Sequence, residues 1–410
     1  MPSEWVPPLC ASLDTMGINS LILNISFKHY LQDEIMKLKS IAAAVGLCLA
    51  SLSVAHASDK TIYLTFDDGP IDATLGLLDA LKDANIKATF FINAFHMYGE
   101  GDENEALAAV ALQRLLDYGH ILANHSYDHM LHNCTDGVQS GAVYCNQVGL
   151  WPVKSYQDAA TDFTYFVTNT AKVVELIPNA ASYSNNKMTK LARLPYTNGW
   201  RVSSKLQGDG LCATSDTVPP WDPAFACTAE TSTNSSQVAV QIQNMLAESD
   251  YKIFGWDFDW GPEDWGVAFP AESMADGVEL VDKINQVINT CAGTTMNPLN
   301  SRTQNLDCSD GLHDGKVVIL THDFLFENAH RGQGATINLP KIKRFVEEAQ
   351  RQGYRFDTLD NYAPAWQDQH DYQQPDFVSY QDKIYSLVQA HFSQSNWQPN
   401  QTPALWKKEK

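Results

Sequence analysis

The stretch YLTFDDGP, residues 63–70, places two adjacent aspartates, Asp67 and Asp68, where a run of β-branched and aromatic residues meets a Gly-Pro turn. The run predicts a buried strand, and the Gly-Pro pair predicts that the strand ends there. Asp, Gly and Pro are ordinary turn residues, so the pair alone has a purely structural interpretation. The functional interpretation is that one carboxylate binds a metal ion while its neighbour moves a proton. Residues elsewhere in the chain that could act with these aspartates must decide between the structural and the functional interpretation.

Strand-like and helix-like segments alternate from Thr61 onward, which predicts a β/α architecture with a largely parallel sheet. The later strand-like segments are KATFFI, HILANHS, KLARLPY, KIFGWDFDW and KVVILTH. In β/α folds the carboxyl ends of the strands carry the active site. The polar residues that follow these segments are therefore the candidates for chemistry.

Composition and charge narrow the class of protein. The chain has 410 residues, of which 44% are hydrophobic, so it can bury a substantial core. Asp and Glu number 48 against 28 Lys and Arg, which gives a formal net charge of -20. This charge repels nucleic acid and anionic membranes and suits a neutral substrate, although it also serves solubility.

Residues 36–57, MKLKSIAAAVGLCLASLSVAHA, have the three-part pattern of a secretory signal, with lysines, an apolar stretch and a small-residue cleavage site. We predict cleavage after Ala57, a mature chain that starts at Ser58, and a secreted protein, extracellular or periplasmic. The apolar run is too short to favour a membrane span. Residues 1–35 are predicted to be a non-native upstream extension, with Met36 as the true start.

Cysteine usage agrees with export. Two of the eight cysteines, Cys10 and Cys48, precede the predicted cleavage site. The other six have no C-x-x-C spacing, so disulfides are a stronger interpretation than a thiolate zinc site. Pairing of sequence neighbours is a preference only, because six cysteines allow many connectivities. The neighbouring pairs are Cys134 with Cys145, Cys212 with Cys227, and Cys291 with Cys308.

The segment NHSYDH supplies His125 and His129, four positions apart. On a helix or a tight loop that spacing puts two imidazoles on one side, which is a common arrangement for first-row metals. The pair is weak evidence alone, because the chain contains 12 histidines. A carboxylate from FDDGP would add a third ligand and leave positions open for water and substrate. One of Asp67 and Asp68 would then bind the metal ion, and the other would accept the proton.

Other candidates lie in three further segments. His322 ends the apolar run VVILTH and is suited to protonate an amine leaving group, although a core histidine is the structural interpretation. Arg193 in RLPY can pair with a catalytic carboxylate and keep it ionised. Asp257 and Asp259 in WDFDW instead allow a glycosidase with two carboxylates, which remains an alternative.

The segments TFDDGP, HSYDH, RLPY, an Asp-Trp pair and LTH occur in this order within residues 60–324. This ordered set resembles the five motifs of the NodB-type polysaccharide deacetylases, carbohydrate esterase family 4. Within that family, the chain most resembles the secreted chitin oligosaccharide deacetylases, in the stretches YLTFDDGP, ANHSYDHM, ARLPYTNGWR, GLCATSD and THDFLFE. The resemblance implies a distorted (β/α) barrel over residues 58–362 that removes N-acetyl groups from N-acetylglucosamine units of chitin oligosaccharides. Deacetylation of peptidoglycan or acetylxylan, or chitin binding without turnover, remain alternatives.

The resemblance also implies roles for the candidate residues. A zinc ion, or another divalent metal, would be held by Asp68, His125 and His129. Asp67 would be the general base and His322 the general acid. The two aspartates of the opening stretch thereby receive different roles.

Further roles follow from the same resemblance. Arg193 would tune the base, and the backbone N–H of Tyr196 would stabilise the oxyanion. Two Asp-Trp pairs, 259–260 and 264–265, can fill the fourth motif, and we favour Asp264 as the residue that orients the acid. The expected substrate contacts are Trp265, Trp256 and Leu320.

Residues 363–410 are dense in Trp, Tyr, Gln and Pro and resemble the chitin-binding modules of carbohydrate-binding families 5 and 12. We predict a small β-rich module. Its aromatic rings form either a mini-core or a flat surface on which sugars stack, and the resemblance favours stacking. The candidates are Trp366, Tyr372, Trp397 and Trp406. We expect a monomer whose partner is chitin or its oligosaccharides, without binding to nucleic acid or membrane.

Overall fold

The computed structural model describes residues 60–97, 102–129, 159–178, 188–195, 199–200, 202, 234–261, 274–292, 315–328, 334–374, 376–381 and 383–409. Several predictions fall outside these ranges. They are the extension and signal over residues 1–57, Tyr196, Asp264, Trp265, and the cysteines, of which only the backbone of Cys291 is described. The boundaries predicted at residues 35, 57 and 362 stay predictions.

An eight-stranded sheet organises the described part of the catalytic region. Its strands run in the order β5-β4-β3-β2-β1-β7-β6, with β8 paired to β1, and every pair is parallel. This confirms the predicted β/α architecture. The strands are β1 Thr61–Gly69, β2 Thr89–Ile92, β3 Ile121–Asn124, β4 Leu191–Ala192, β5 Lys252–Ile253, β6 Phe258–Asp259, β7 Lys316–His322 and β8 Arg355–Phe356.

A helix lies between successive strands of this sheet except between β5 and β6, and parallel connections need such crossovers. Within the described ranges no helix is long and apolar enough to cross a membrane. The helices are α1 Asp72–Asp83, α2 Asp102–Asp117, α3 Ala159–Leu176, α4 Asn234–Glu248, α5 Gly277–Ala292 and α6 Gly334–Arg351.

The two faces of each strand have different roles, because successive side chains point in opposite directions. On β1, Leu64 and Phe66 pack into the large core against the helices. Tyr63 instead joins a second core on the other face, together with Leu320 of β7. Asp67 lies four positions after Tyr63 on the same strand, so its side chain points to the same, second face. His322 follows Leu320 in the same way.

The C-terminal residues form a small β module, as predicted. Its strands pair antiparallel in two small sheets. The first contains β10, β11 and β13, and the second contains β9 and β12. The strands are β9 Asp371–Tyr372, β10 Phe377–Tyr380, β11 Lys383–Leu387, β12 His391–Phe392 and β13 Trp406–Lys408.

Two of the four predicted stacking residues are buried in this module. Tyr372 is 4% exposed and Trp406 is 1% exposed, and their rings pack 4.8 Å apart between centroids. The prediction that these two rings stack on sugars was therefore wrong, since a module this small needs its largest side chains for a core. Trp366 and Trp397 are partly exposed and stay candidates. Phe392, which the sequence analysis missed, is 58% exposed.

A buried lysine fastens the module to the sheet. Lys316, at the start of β7, donates from Nζ to the carbonyl of Ala363 at 3.0 Å and to Ser379 Oγ at 2.5 Å. Nearby, the Lys252 ammonium lies 3.6 Å from the ring centroid of Phe377. Both lysines begin strands, so the module contacts the amino ends of the sheet.

We expect Lys316→Ala to loosen this attachment, because Ala363 and Ser379 lose a charged donor. Hydrogen bonds to charged groups contribute about 1.5–3 kcal/mol each. The midpoint of thermal unfolding should fall, and limited proteolysis at residues 362–366 should become faster. Lys343→Ala is the matched control, since its side chain is 72% exposed in a surface ion pair. Equal behaviour of the two variants would contradict the attachment.

Candidate active site

Two strand ends bring the predicted metal ligands together. Asp68 lies at the end of β1, and His125 and His129 follow β3. Asp68 Oδ1 is 3.2 Å from His129 Nε2 and 3.6 Å from His125 Nε2. One donor atom from each of the three residues lies within 4.8 Å of the others. The structure therefore assembles the predicted Asp-His-His set.

A bulge explains how two adjacent aspartates reach one site. In a regular strand, Asp67 and Asp68 would point to opposite faces. Asp68 instead adopts a left-handed φ of 71°, and the register with β2 shifts between Asp67 and Gly69. Ser126 and His129 in the histidine loop are also left-handed, with φ of 66° and 57°. Such conformations cost energy in residues other than glycine, and they concentrate at functional sites.

Arg193 orients one of the histidines through its backbone. His125 Nδ1 lies 2.8 Å from the carbonyl oxygen of Arg193, so this nitrogen carries the proton and donates. The lone pair on Nε2 then faces Asp68. This is the arrangement in which a histidine ligand is held for a metal ion.

The donor set fits a divalent metal ion. In the described part of the chain, Asp68 Oδ1 is buried and accepts no hydrogen bond, although two imidazole nitrogens face it. A buried carboxylate oxygen in that position is costly unless a cation or donor compensates it. Two imidazoles and a carboxylate form a common ligand set for zinc, with positions left open for water.

Asp67 forms a buried ion pair beside the ligands. Arg193 is fully buried, and its Nη1 donates to Asp67 Oδ1 at 2.8 Å. The same guanidinium donates to Thr65 Oγ1 and to the carbonyls of Phe254 and Gly255, at 2.7–3.1 Å. Asp67 Oδ2 remains directed to the ligands, 3.5 Å from His125 Nε2. One carboxylate oxygen is thus held by Arg193 while the other faces the site.

Burial and charge act in opposite directions on this carboxyl. Burial raises the pKa of Asp67 and is the larger effect, while Arg193 and His125 lower it. The net direction is upward in the metal-free protein. The expectation that Arg193 favours the ionised base therefore has the right sign, although Arg193 does not outweigh burial.

Removal of the guanidinium should be costly. We expect Arg193→Met to lower the free energy of unfolding by about 3–5 kcal/mol, because it leaves Asp67 buried without a partner charge. Urea unfolding measures the loss. In a double-mutant cycle, Asp67→Leu with Arg193→Met should cost less than the sum of the single changes. An additive cycle would show that the two side chains do not stabilise each other.

His322 reaches the site from the neighbouring strand. The pairing of β1 with β7 sets Asp67 opposite His322, and His322 Nε2 lies 3.9 Å from Asp68 Oδ2. The ring stacks on Phe324 with centroids 4.9 Å apart. The predicted acid therefore lies on the far side of Asp68 from the histidine ligands.

The remaining candidates are placed only in part. Trp256 and Leu320 are nearly buried, at 7% and 4% exposure, on the face that carries His322. Trp260, from the less favoured Asp-Trp pair, is 1% exposed and packs in the large core, so it cannot form a pocket wall. Asp257 accepts a hydrogen bond from the Val318 N–H at 2.8 Å, which commits one carboxylate oxygen to the sheet.

Asp323 is a site residue that the sequence analysis missed. It directly follows His322, is fully buried, and accepts a hydrogen bond from Thr74 Oγ1. A Cβ atom on Gly69 would lie 2.2 Å from Asp323 Oδ2, so this carboxyl packs against the turn after Asp68. Burial raises the pKa of Asp323 to about 7. The only sequence signal was an Asp at a strand end, which is common in turns.

The raised pKa predicts a pH dependence of stability in the metal-free protein. An unfolded aspartate has a pKa of about 3.9, so folding favours the protonated form of Asp323. Its contribution is complete below about pH 4 and is lost as the pH rises toward 7. Asp323→Asn stays neutral and should flatten this decline in urea unfolding with chelator present. Asp79→Asn, whose parent side chain is 56% exposed, should keep the decline.

Comparison with known proteins identifies the class. Residues 55–197 match the polysaccharide deacetylase family, and residues 365–407 match carbohydrate-binding module family 5/12. A chitin disaccharide deacetylase of Vibrio alginolyticus is 46% identical over 375 residues, which cover 90% of this chain and 88% of that protein. The chain therefore belongs to the polysaccharide deacetylases, carbohydrate esterase family 4, and carries a carbohydrate-binding module. It is a hydrolase of the amide-bond class.

More distant relatives are similar over smaller parts. A putative polysaccharide deacetylase of Bacillus subtilis is 41% identical over 108 residues, which cover 26% of this chain and 36% of that protein. The solved chitin deacetylase of the fungal pathogen Colletotrichum lindemuthianum is 17% identical, with a TM-score of 0.39. That comparison covers 74% of this chain and 87% of the fungal one.

Proposed function

We propose that this protein is a secreted, metal-dependent deacetylase that hydrolyses the N-acetyl group of N-acetylglucosamine units in chitin oligosaccharides. The observation that carries the proposal is the Asp68-His125-His129 set with the Asp67–Arg193 ion pair beside it. The similarity to a chitin disaccharide deacetylase supports the substrate class. The metal we propose is zinc, while other divalent ions suit the same ligands.

The proposed reaction uses a metal ion and two proton-transfer groups. Asp68, His125 and His129 would hold a divalent ion, which would supply Lewis-acid chemistry. Asp67 accepts the proton of the attacking water through Oδ2, the oxygen that Arg193 leaves available.

His322 completes the reaction as general acid. As the carbon–nitrogen bond breaks, it donates a proton to the departing nitrogen, so that the products are acetate and a free amine. The backbone N–H of Tyr196 is proposed to stabilise the oxyanion, and Asp264 to orient His322. Loss of either proton-transfer group should affect turnover more than substrate binding.

Several features favour a neutral sugar polymer outside the cell. The net charge of -20 disfavours anionic partners, and the C-terminal module belongs to a carbohydrate-binding family. Phe392, Trp366 and Trp397 are among the module's exposed or partly exposed aromatic residues and are candidates for stacking on sugars. The signal-like pattern over residues 36–57 supports secretion, which N-terminal sequencing at Ser58 would test.

The two aspartates should separate metal binding from turnover. We expect Asp67→Asn to lower acetate release from chitotriose by about 10²–10⁴-fold while zinc content stays stoichiometric, because Asn keeps the contact with Arg193 but takes no proton. Asp68→Asn should lose both zinc and activity. Zinc is measured by mass spectrometry after dialysis, and chelation of the wild-type enzyme should abolish acetate release.

Three results would contradict the proposal. Full activity of Asp67→Asn would remove its role as base. Acetate release from peptidoglycan or acetylated xylan alone would overturn the substrate class. New reducing ends that form in the presence of chelator would indicate a glycosidase instead.

A further inference from the structure

The two loops that carry the ligands are not neighbours in the sheet. Asp68 lies at the end of β1, whereas His125 and His129 follow β3, and β2 lies between these strands. The residue directly after β2 is Asn93, which is fully buried. Its position lets it contact both loops at once.

Asn93 makes a hydrogen bond to each side. Its backbone N–H donates to the carbonyl of Gly69, next to Asp68, at 3.2 Å. Its side-chain Nδ2 donates to the carbonyl of His125 at 2.6 Å and to that of Ser126 at 2.9 Å. One residue therefore connects the aspartate turn with the histidine turn.

Neighbouring asparagines hold this connection in place. Asn169 of α3 accepts from the N–H of Ala94 at 2.7 Å and donates to the carbonyl of Ile92 at 2.7 Å. Asn169 also donates to Asn124 Oδ1 at 2.8 Å, and the same oxygen accepts from the N–H of Ser126 at 3.0 Å. Both neighbours of Asn93 in the chain are thus fixed to a helix.

We propose that Asn93 is a positioning residue for the metal centre and that its hydrogen bonds set the separation between Asp68 and His125. The inference rests on the proposed metal-dependent function. Without the Asn93 amide, the carbonyls of His125 and Ser126 lose their buried donor, which costs free energy. The left-handed conformation of Ser126 then has less support, and the histidine turn relaxes away from Asp68.

The test compares the zinc affinity of variants at two matched buried asparagines, Asn93 and Asn338. Asn338 is also fully buried, and its Nδ2 donates at 2.7 Å to the carbonyl of Leu325, which belongs to neither ligand loop. We expect Asn93→Leu, which keeps a similar volume without a donor, to weaken zinc binding by about 10–100-fold. Asn338→Leu should leave the zinc dissociation constant unchanged, even if both variants lose thermal stability. Zinc affinity is measured by competition with a chromophoric chelator.

Each outcome decides the inference. Equal zinc affinity of Asn93→Leu and the wild type, or an equal loss in Asn338→Leu, would overturn it. If Asn93→Leu fails to fold by circular dichroism, Asn93→Ala provides the same comparison with less steric change. A wild-type protein that binds no zinc would overturn the proposed metal centre itself, which is a distinguishable result.

Discussion

One buried arginine links the two chemical parts of this site. The guanidinium of Arg193 holds the carboxylate of Asp67, and the backbone carbonyl of the same residue orients His125. A shift of β4 would therefore move the proposed proton acceptor and a proposed metal ligand together. An isolated buried charge is very unfavourable, so the pair can exist only with both members in place. The proposed base and the proposed metal centre thus share one support.

A second constraint is the backbone strain at the ligand loops. Asp68, Ser126 and His129 all have positive φ. Regular strand ends would direct these side chains away from one another, and the left-handed residues redirect them. Bonds from a third strand end, through Asn93, oppose relaxation of the turns. The predicted ligand set therefore depends on three strand ends, and no single loop could form it.

The sequence analysis predicted the features that depend on local patterns and missed those that depend on contacts between residues far apart in the chain. Strand ends and local spacing predicted Asp67, Asp68, His125, His129 and His322, because alternation and parallel pairing bring such positions to one edge. Asn93 and Asp323 depend on bonds to residues far along the chain, which local patterns do not contain. The prediction that Tyr372 and Trp406 stack on sugars was wrong for a similar reason. Composition does not show which aromatic ring fills a small core.

The attachment of the module limits what it can contribute. Lys316 begins β7 and holds the module, whereas His322 ends the same strand at the site. Six steps of about 3.3 Å separate these positions by roughly 20 Å along the sheet. A module at the amino ends of the strands cannot line a cleft at their carboxyl ends. Under the proposed function, its exposed aromatics would therefore hold the enzyme on a polymer surface, while residues at the carboxyl ends of the strands would contact the sugar that is deacetylated.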